Sequence, residues 1–345
     1  MSSIYIISDH GKLTGENGTL KMYQEDGTVR TIFPHNTDFL LISGNVSITG
    51  RAMDVLMQHG INTVFINGKN GKFNGKLEFT ANKNIFLRKK QYKLADSEEF
   101  ALPIAKSIVI AKIKNQLTFA QRIKRKSDLN ENEFLANINF IKGVLKECEN
   151  AANINELRGY EGMCAKEYFA VMRHNILPDW AEFPSRSMNP PKTNVNAVLS
   201  FIYTLLMYRV ESAIEAVSLD AMAGFLHSHE YGKNSLVFDL MEEFRTPIAD
   251  TLACSLFNLN MLNEDDFRIV EPGSEDGNYD ETAVLLTKEG LKKVISEFEN
   301  KIRTLVLYVP KGERLSFNKI IFEQAMQFRR VIDGTETEYK GFIFK

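Results

Sequence analysis

The sequence has few cysteines and no long apolar run, and both shortages limit what the protein can be. Its 345 residues include three cysteines, Cys148, Cys164 and Cys254, which lie far apart and form no CxxC pair. This pattern argues against disulfides and a structural zinc site, and it favours a reducing compartment such as the cytoplasm. The longest apolar run, residues 198–208, is well short of the roughly 20 residues that a membrane-spanning helix needs. It therefore predicts a buried core helix.

Several familiar motifs are also missing. The N-terminus shows no basic region followed by an apolar one, so no secretory signal is expected. The segment GKNGKFNGK, residues 68–76, lacks the G-K-[ST] ending of a phosphate-binding loop and instead favours a hairpin connection. Neither a dinucleotide fingerprint nor a Ser-His-Asp pattern is visible. The sequence thus gives no support to an ATPase, a dehydrogenase or a serine hydrolase.

Charge is nearly balanced over the whole chain but not along it. The formal net charge is −2, yet twelve lysines or arginines accompany only three acidic residues between Lys83 and Lys126. Such a stretch is either a solvated helix face or a stripe that binds phosphates through local contacts. Composition alone leaves both interpretations open.

The first 80 or so residues have the pattern of short strands. Segments 4–8 (IYIIS), 39–43 (FLLIS) and 63–67 (TVFIN) are rich in β-branched and aromatic residues, with turn signals between them. Residues 49–60 predict one short helix, with Thr49 as its N-cap and a glycine at its end.

After about residue 84 apolar residues recur at helical spacing. Helices are predicted at 101–123, 153–172, 196–217, 235–245, 288–302 and 318–332, with a proline-bearing loop at 183–194. The predicted fold class is therefore α+β. We expect a small β-rich N-terminal domain, residues 1–83, followed by a larger all-α domain, residues 84–345.

Two glycines lie in the predicted helix 153–172. Gly159 and Gly162 are three residues apart, and Glu161 lies between them. Each glycine costs roughly 1 kcal/mol of helix propensity relative to alanine. This pattern suggests that something approaches the helix backbone closely, and a packed neighbouring helix is the simplest candidate.

An acidic stripe follows two histidines in the segment GFLHSHEYGKNSLVFDLMEEFR, residues 224–245. Asp239 and Glu242 are three residues apart, so they share one helix face. On a surface their repulsion is small, but in a partly buried site it favours a divalent cation. His227 lies just before, in an apolar context. Two carboxylates and an imidazole suit Mg²⁺ or Mn²⁺, while a solvated helix face remains the alternative.

Four motifs in order resemble a known family. They are LRGYEGMCAKEYF (157–169), NVNAVLSFIYTLL (194–206), GFLH (224–227) and SLVFDLMEEFR (235–245). Together they resemble the integrase of the CRISPR adaptation module, the Cas1 family, over nearly the whole chain. LRKKQ (87–91) and KIKNQ (112–116) are similar to the segments that open its helical domain.

The resemblance implies a metal-dependent DNA integrase and endonuclease with a dimerising N-terminal domain and a helical catalytic domain. By motif position, Glu161, His227 and Glu242 would be the ligands of Mg²⁺ or Mn²⁺. Asp239 matches an acidic position that supports the site. Some members have aspartate where this chain has Glu242, whose longer side chain leaves the coordination geometry open. The choice between one and two metal ions is likewise open.

Further roles follow from the same resemblance. Arg245 would contact a phosphate or form an ion pair with Glu161 or Glu242, and His229 lies outside the motif. The basic residues expected to contact backbone phosphates are Arg88, Lys89, Lys90, Lys112, Arg122 and Lys124.

The implied reaction is transesterification in a prokaryotic cytoplasm: the 3′-hydroxyl of a short DNA fragment attacks a phosphodiester at the end of a CRISPR repeat. The implied partners are double-stranded DNA, a second copy of the chain and the small ferredoxin-like protein Cas2, in a heterohexamer. The apolar segment TVFIN (63–67) is a candidate for pairing across a two-fold axis. The rival functions are a metal-dependent nuclease of branched or single-stranded DNA or of RNA, and a non-catalytic DNA-binding scaffold.

Overall fold

The computed structural model describes residues 2–68, 73–77, 84–126, 132–273 and 279–344. Its N-terminal part contains strands and one helix, α1. Their bounds are β1 (Ser2–Ile7), β2 (Gly11–Glu16), β3 (Thr19–Gln24), β4 (Val29–Ile32), β5 (Thr37–Ser43), β6 (Val46–Ile48), α1 (Gly50–Gln58), β7 (Asn62–Ile66) and β8 (Phe73–Leu77). The strands form two sheets, in the orders β1-β5-β7-β8 and β4-β3-β2-β6.

The three strands predicted from the sequence are confirmed as β1, β5 and β7. The predicted short helix is α1, and the Thr49 side chain accepts a hydrogen bond from the Ala52 backbone N–H, as an N-cap does. The predicted hairpin is also confirmed, since β7 and β8 pair antiparallel; residues 69–72 of its connection lie outside the described residues. β7 has β5 on one side and β8 on the other, so the segment TVFIN is not an edge free to pair with a second copy.

The strands at residues 11–32 were missed, because only one face of each is apolar. In β3, Leu20 and Met22 are buried, while the alternate residues Lys21 and Tyr23 are less so. This alternation with a period of two is typical of a sheet with one solvated face. Such strands lack the continuous apolar segment that predicted β1, β5 and β7.

The central strand β5 has both faces buried. Leu40 and Ile42 point into the core between the two N-terminal sheets, while Phe39 and Leu41 join the main core with the helices. The nearly continuous apolar text FLLIS therefore reflects a strand that packs on two sides.

The rest of the chain is mostly helical. Its helices are α2 (Ile85–Ala95), α3 (Glu98–Lys126), α4 (Asn132–Asn150), α5 (Ile154–Arg173), α6 (Asn194–Ala216), α7 (Ser235–Phe244), α8 (Thr251–Asn258), α9 (Lys288–Arg303) and α10 (Phe317–Asp333). Its short strands are β9 (Phe267–Val270), β10 (Ala283–Leu286), β11 (Leu305–Tyr308) and β12 (Glu313–Ser316).

The α+β fold class and all six predicted helices are confirmed. The larger part is not purely helical, however, because β9–β10 and β11–β12 form two small antiparallel pairs. Helix α4 was not predicted, although Phe134, Ile138 and Ile141 follow a helical period along its buried face. The boundary predicted between residues 83 and 84 stays a prediction, since residues 78–83 lie outside the described residues.

Helix α6 occupies the centre of the helical part. It is long and apolar enough to cross a membrane by length and composition, but 72% of its apolar window is buried inside the structure. Its apolar character thus serves the core, as the sequence predicted for residues 198–208. Helix α3 packs against α4, α5 and α7, and this contact positions the site described below.

A C-terminal tail, residues 335–344, closes the structure over α3 and α7. The buried carboxylate of Glu243 in α7 accepts hydrogen bonds from Tyr339 Oη, at 2.5 Å, and from the Phe342 backbone N–H, at 2.7 Å. It also accepts one from Gln324 Nε2 at 2.9 Å. From α3, Asn115 Nδ2 donates to the Phe342 carbonyl oxygen at 2.9 Å. One buried acid therefore organises the attachment of the tail.

We predict that Glu243→Gln removes a pH dependence of folding stability. Burial raises the pKa of Glu243 to about 7, despite its three hydrogen-bond donors. Because this folded-state pKa lies above that of an unfolded glutamate, Glu243 supports folding fully at low pH, and its contribution falls as pH rises to about 7. The loss is at most about 3 kcal/mol.

Urea unfolding between pH 5 and pH 8, with a chelator present, measures this difference. The free energy of unfolding of the wild type should fall relative to that of Glu243→Gln as pH rises. A glutamine can still accept from Phe342 and can donate to the Tyr339 hydroxyl. Parallel curves for the two proteins would contradict the prediction.

Candidate active site

Three segments bring Glu161, His227 and Glu242 into one site. Glu161 lies in α5, Glu242 in α7, and His227 in the loop that precedes α7. His227 Nε2 is 3.9 Å from Glu242 Oε1. Glu161 and Glu242 both contact the ammonium of Lys112, and both line a pocket of about 240 Å³. The folded chain therefore brings the three residues near one another, and their role as metal ligands stays a prediction.

Lys112 projects from α3 between the two glutamates. Its Nζ forms ion pairs with Glu161 Oε1 and, at 2.5 Å, with Glu242 Oε2. Burial alone would lower the pKa of Lys112, but the charges of Glu242 and Glu161 outweigh it and raise the pKa. Lys112 was predicted to contact a DNA phosphate. Its side chain is only 8% exposed, so such a contact would require it to leave the carboxylates.

Glu242 is held as a carboxylate by surrounding cations. Burial would raise its pKa, but Arg245 and Lys112 lower the pKa to about 2. Arg245 Nε forms an ion pair with Glu242 Oε1 at 3.0 Å. Glu242 Oε2 is buried, and the cation in contact with it is the Lys112 ammonium. A metal ion at this oxygen would have to displace that ammonium.

Asp239 orients His227. Its Oδ1 is 2.7 Å from His227 Nδ1 and accepts the His227 backbone N–H at 2.8 Å. Its Oδ2 accepts the backbone N–H groups of Phe225 and Leu226. With Asp239 acting only as an acceptor, His227 Nδ1 carries the proton, and Nε2 keeps its lone pair on the side of Glu242. A carboxylate behind a histidine is the usual arrangement for a metal-ligating imidazole.

Local packing fixes the loop that carries His227. A side chain on Gly224 would collide with Ser235 and with Asp239, 2.7–2.8 Å away, so only glycine allows the loop to lie against α7. Arg158 in α5 donates from Nε to the Leu226 carbonyl oxygen at 2.6 Å. His229 Nε2 contacts the Gly224 carbonyl oxygen at 2.9 Å, which suits a structural role.

The acidic stripe of α7 is not a solvated face. Asp239, Glu242 and Glu243 are exposed by 0%, 4% and 0%. Each acid has a separate set of partners: the His227 loop, the Lys112–Arg245 cations, and the C-terminal tail. Burial of this kind requires compensation, and the structure supplies it at each acid.

A π-helical segment after α7, residues 245–250, places two further charged groups beside the pocket. Arg245 lies over the Tyr203 ring, 4.8 Å from its centroid. Asp250 accepts hydrogen bonds from Tyr203 Oη at 2.6 Å and Tyr168 Oη at 2.7 Å, and burial raises the pKa of Asp250. Such π segments often occur at functional sites. Asp250 was not predicted from the sequence, where the proline at residue 247 is the local signal of an irregular helix.

The donor set of the site fits a hard divalent cation. Two carboxylates and one imidazole nitrogen are ligands that Mg²⁺ or Mn²⁺ accepts, manganese more readily for the nitrogen. Within the described ranges, no three His, Cys, Asp or Glu side chains lie close enough as they stand to hold an ion. Lys112 Nζ lies between Glu161 and Glu242. A bound cation would compete with this ammonium.

The other residues predicted to contact DNA have different surroundings. Arg88 forms an ion pair with Asp220, whereas Lys89 and Lys90 in α2 are exposed. Arg122 lies 4.3 Å from the Phe344 ring centroid. The side chain of Lys124 lies outside the described residues.

The two glycines of α5 have no close neighbour. A side chain added to Gly159 or Gly162 would meet no atom of the described residues within 4 Å. The expectation that another helix approaches the backbone there is therefore wrong. The glycines lie on an exposed face of α5.

The sequence matches one family over most of its length. A family model described as CRISPR associated protein Cas1 matches residues 4–300. The chain is 30% identical over 344 residues to CRISPR-associated endonuclease Cas1 1 of Chlorobaculum tepidum, covering 98% of this chain and 97% of the relative. It is 30% identical over 346 residues to CRISPR-associated endonuclease Cas1 3 of Thermus thermophilus, covering 99% and 97%.

The fold is similar to that of solved structures. A Cas1 protein from Thermotoga maritima has a TM-score of 0.82 at 25% identity, with 99% of this chain and 100% of that chain covered. A casposase bound to an integration product has a TM-score of 0.83 at 23% identity, covering 99% and 93%. A chain of a Cas6-RT-Cas1–Cas2 complex has a TM-score of 0.84 at 21% identity, covering 99% of this chain and 36% of that one.

We predict that Lys112→Met destabilises the protein and that Mn²⁺ reverses this effect. The substitution leaves the buried carboxylate of Glu242 without one of its cations, and breaking a buried ion pair in this way costs about 3 kcal/mol. Thermal unfolding in chelator should therefore occur at a lower temperature. Added Mn²⁺ should raise the midpoint of the variant more than that of the wild type.

Lys114→Met is the matched control. Lys114 lies two residues further along α3, and no carboxylate of the described residues is within ion-pair distance of it. An unchanged midpoint for Lys112→Met in chelator would show that the observed ion pairs do not stabilise the site.

Proposed function

The chain belongs to the Cas1 family of CRISPR-associated proteins, and from this premise we propose that it inserts short DNA fragments into a CRISPR array. The proposed reaction is transesterification at the ends of the repeat, with Glu161, His227 and Glu242 as ligands of Mg²⁺ or Mn²⁺. The observation that carries the proposal is the position of Glu242, which lies 3.9 Å from His227 and shares the Lys112 ammonium with Glu161 beside a pocket that both glutamates line.

In this reaction a 3′-hydroxyl oxygen of the fragment forms a new bond to a phosphorus atom of the repeat, and the bond from that phosphorus to the leaving oxygen breaks. The number of phosphodiester bonds is unchanged, so no nucleotide cofactor is required. A bound divalent cation supplies Lewis-acid chemistry, since it withdraws charge from the phosphate and stabilises the leaving alkoxide.

The side chains of the site divide the remaining tasks. Glu242 would offer Oε2 once the Lys112 ammonium is displaced, and His227 offers Nε2 because its Nδ1–H donates to Asp239. Arg245 is anchored by Glu242 and faces the same pocket. A guanidinium in this position can neutralise a nonbridging phosphate oxygen.

Two features of the relatives support the proposal. The related proteins from Chlorobaculum tepidum and Thermus thermophilus are named endonucleases. The casposase with a similar fold was captured with an integration product, so this fold can hold joined DNA strands.

The proposal includes the partners expected for the family. Double-stranded DNA would lie along α2, where Lys89 and Lys90 are exposed. A similar chain occurs in a complex with Cas2, which supports Cas2 as a partner of this chain. A homodimer bridged by Cas2 into a heterohexamer is part of the same proposal.

We predict that Glu161→Gln, His227→Ala and Glu242→Gln abolish strand joining while leaving duplex binding nearly unchanged. Each variant removes a ligand of the proposed cation, but none removes an exposed cation that would hold the DNA backbone. The assay incubates purified protein, with and without Cas2, with a short duplex and a repeat-bearing DNA in Mn²⁺ or in chelator. Joined and cut products are then separated on a denaturing gel.

The matched control is Glu147→Gln, an exposed glutamate on α4, which should join strands at the wild-type rate. Full joining by a site variant would remove that residue from the proposed ligand set. Cut products without joined ones would identify a metal-dependent nuclease instead. Binding without either product, in Mn²⁺ as in chelator, would identify a DNA-binding scaffold.

We also predict that Lys89→Gln and Lys90→Gln weaken duplex binding irrespective of sequence. Each substitution should reduce the slope of log K against log salt concentration by about 1, because one fewer counterion is released. Fluorescence anisotropy, measured at roughly 50 to 200 mM salt, gives this slope. Lys292→Gln, an exposed lysine of α9 paired with Glu289, is the control and should leave the slope unchanged. An unaltered slope in both α2 variants would place the DNA elsewhere.

A further inference from the structure

An arginine in the wall of the pocket forms no ion pair with the described acidic residues. Arg186 belongs to the loop between α5 and α6 and lines the same pocket as Glu161, Glu242 and Arg245. Among the described residues, no carboxylate lies within ion-pair distance of Arg186. Two other buried arginines do have one: Arg245 pairs with Glu242 and Arg209 with Glu299.

Neutral groups hold the Arg186 guanidinium in place. Its Nη1 donates to Asn196 Oδ1 at 2.9 Å and to the Ser187 carbonyl oxygen, and its Nη2 donates to Ser200 Oγ at 3.1 Å. Its Nε is buried and has no hydrogen-bond partner among the described residues. The side chain is thus oriented by the protein, while two N–H groups, on Nε and Nη2, have no acceptor among the described residues.

A second cation lies near Arg186. The guanidinium carbon of Arg186 is 5.3 Å from the centroid of the Tyr203 ring, and that of Arg245 is 4.8 Å from the same centroid. Asp250 is close by, but its carboxylate oxygens accept the hydroxyl groups of Tyr203 and Tyr168. Burial lowers the pKa of Arg186, and Arg245 lowers it further. Asp250 attracts both guanidinium groups without an ion pair to either, so the charge of Arg186 is offset only from a distance.

We propose that Arg186 binds a phosphate group of the DNA inside the pocket, through its free Nε–H and its charge, with Arg245 as the second cation. A guanidinium already fixed in position is well suited to a phosphate oxygen, because little side-chain entropy is lost on binding. The inference rests on the proposed function for the identity of the ligand as DNA. It assigns a phosphate-binding role to Arg186 and Arg245, in addition to the metal-binding role proposed for Glu161, His227 and Glu242.

The first test titrates the whole protein with inorganic phosphate at constant ionic strength in chelator and follows thermal unfolding. The midpoint of the wild type should rise with phosphate concentration and saturate. For Arg186→Gln we expect at least a tenfold weaker apparent affinity. Arg303→Gln, an exposed arginine of α9, should respond as the wild type does. No saturable response of the wild type, or an equal response of Arg186→Gln, overturns the proposal.

Two further variants separate binding from folding. Ser200→Ala removes one hydrogen bond of the guanidinium but keeps its charge and its Nε–H, so the phosphate response should persist. Arg186→Lys keeps the charge but lacks the Nε–H donor, and its affinity for phosphate should be severalfold weaker than that of the wild type. A wild-type response of Arg186→Lys, or complete loss in Ser200→Ala, contradicts the role given to Nε–H.

The second test asks whether the phosphate is that of DNA. A neutral methylphosphonate replaces one phosphate at a time near the joining end of a short duplex, and binding is measured in chelator. At one position the methylphosphonate should weaken DNA binding by the wild type. At that position it should not weaken DNA binding by Arg186→Gln any further, because this variant already lacks the contact. If no position shows this coupling, although inorganic phosphate binds, the site takes free phosphate and the DNA assignment is wrong.

Both tests are independent of strand joining. Coupling between Arg186 and one phosphate, in a protein that joins no strands, would leave the phosphate subsite standing and remove the integrase proposal. Efficient joining by a protein without this coupling would do the reverse.

Discussion

The buried ammonium of Lys112 between Glu161 and Glu242 is the interaction on which the site depends. Removing charged groups from water costs several kcal/mol for each ion, and only close pairing offsets this cost. The pairing requires α5 and α7 each to lie against α3, and the structure shows both contacts. The negative charge of Glu161 and Glu242 holds Lys112 in place, and a divalent cation would neutralise the same charge. The arrangement therefore accounts for the burial of two carboxylates at this site.

Local spacing predicted part of this site and could not predict the rest. The i, i+3 relation of Asp239 and Glu242 correctly placed them on one face of a helix. It could not show that the face is buried, because the groups that cover it come from the 224–227 loop, from α3 and from the C-terminal tail. The family motifs supplied the missing information, since they indicate which distant segments meet. The strands and helices with strong apolar periods were predictable, whereas strands with one solvated face were not.

The basic stretch 83–126 also shows that sequence spacing does not predict the partners of a side chain. Residues of one type, in one stretch of sequence, have three different environments: Lys112 is buried among carboxylates, Arg88 pairs with Asp220, and Lys89 is exposed. The partner of Arg88 lies 132 positions away in the sequence, and that of Lys112 in α5 lies 49 positions away. Periodicity along a helix determines the direction of a side chain, but only the tertiary fold determines what it meets.

The C-terminal tail is coupled to the site through two helices. Asn115 lies one turn after Lys112 in α3, and it binds both the Phe342 carbonyl oxygen and the Glu243 carbonyl oxygen. Glu243, the neighbour of Glu242 in α7, accepts the Phe342 backbone N–H. Because the tail holds α3 and α7 together at the level of the carboxylates, its docking limits how far Lys112 and Glu242 can separate. The geometry available to a cation is thus set partly by residues that never contact it, which is why neither the acidic stripe nor the tail can be understood separately.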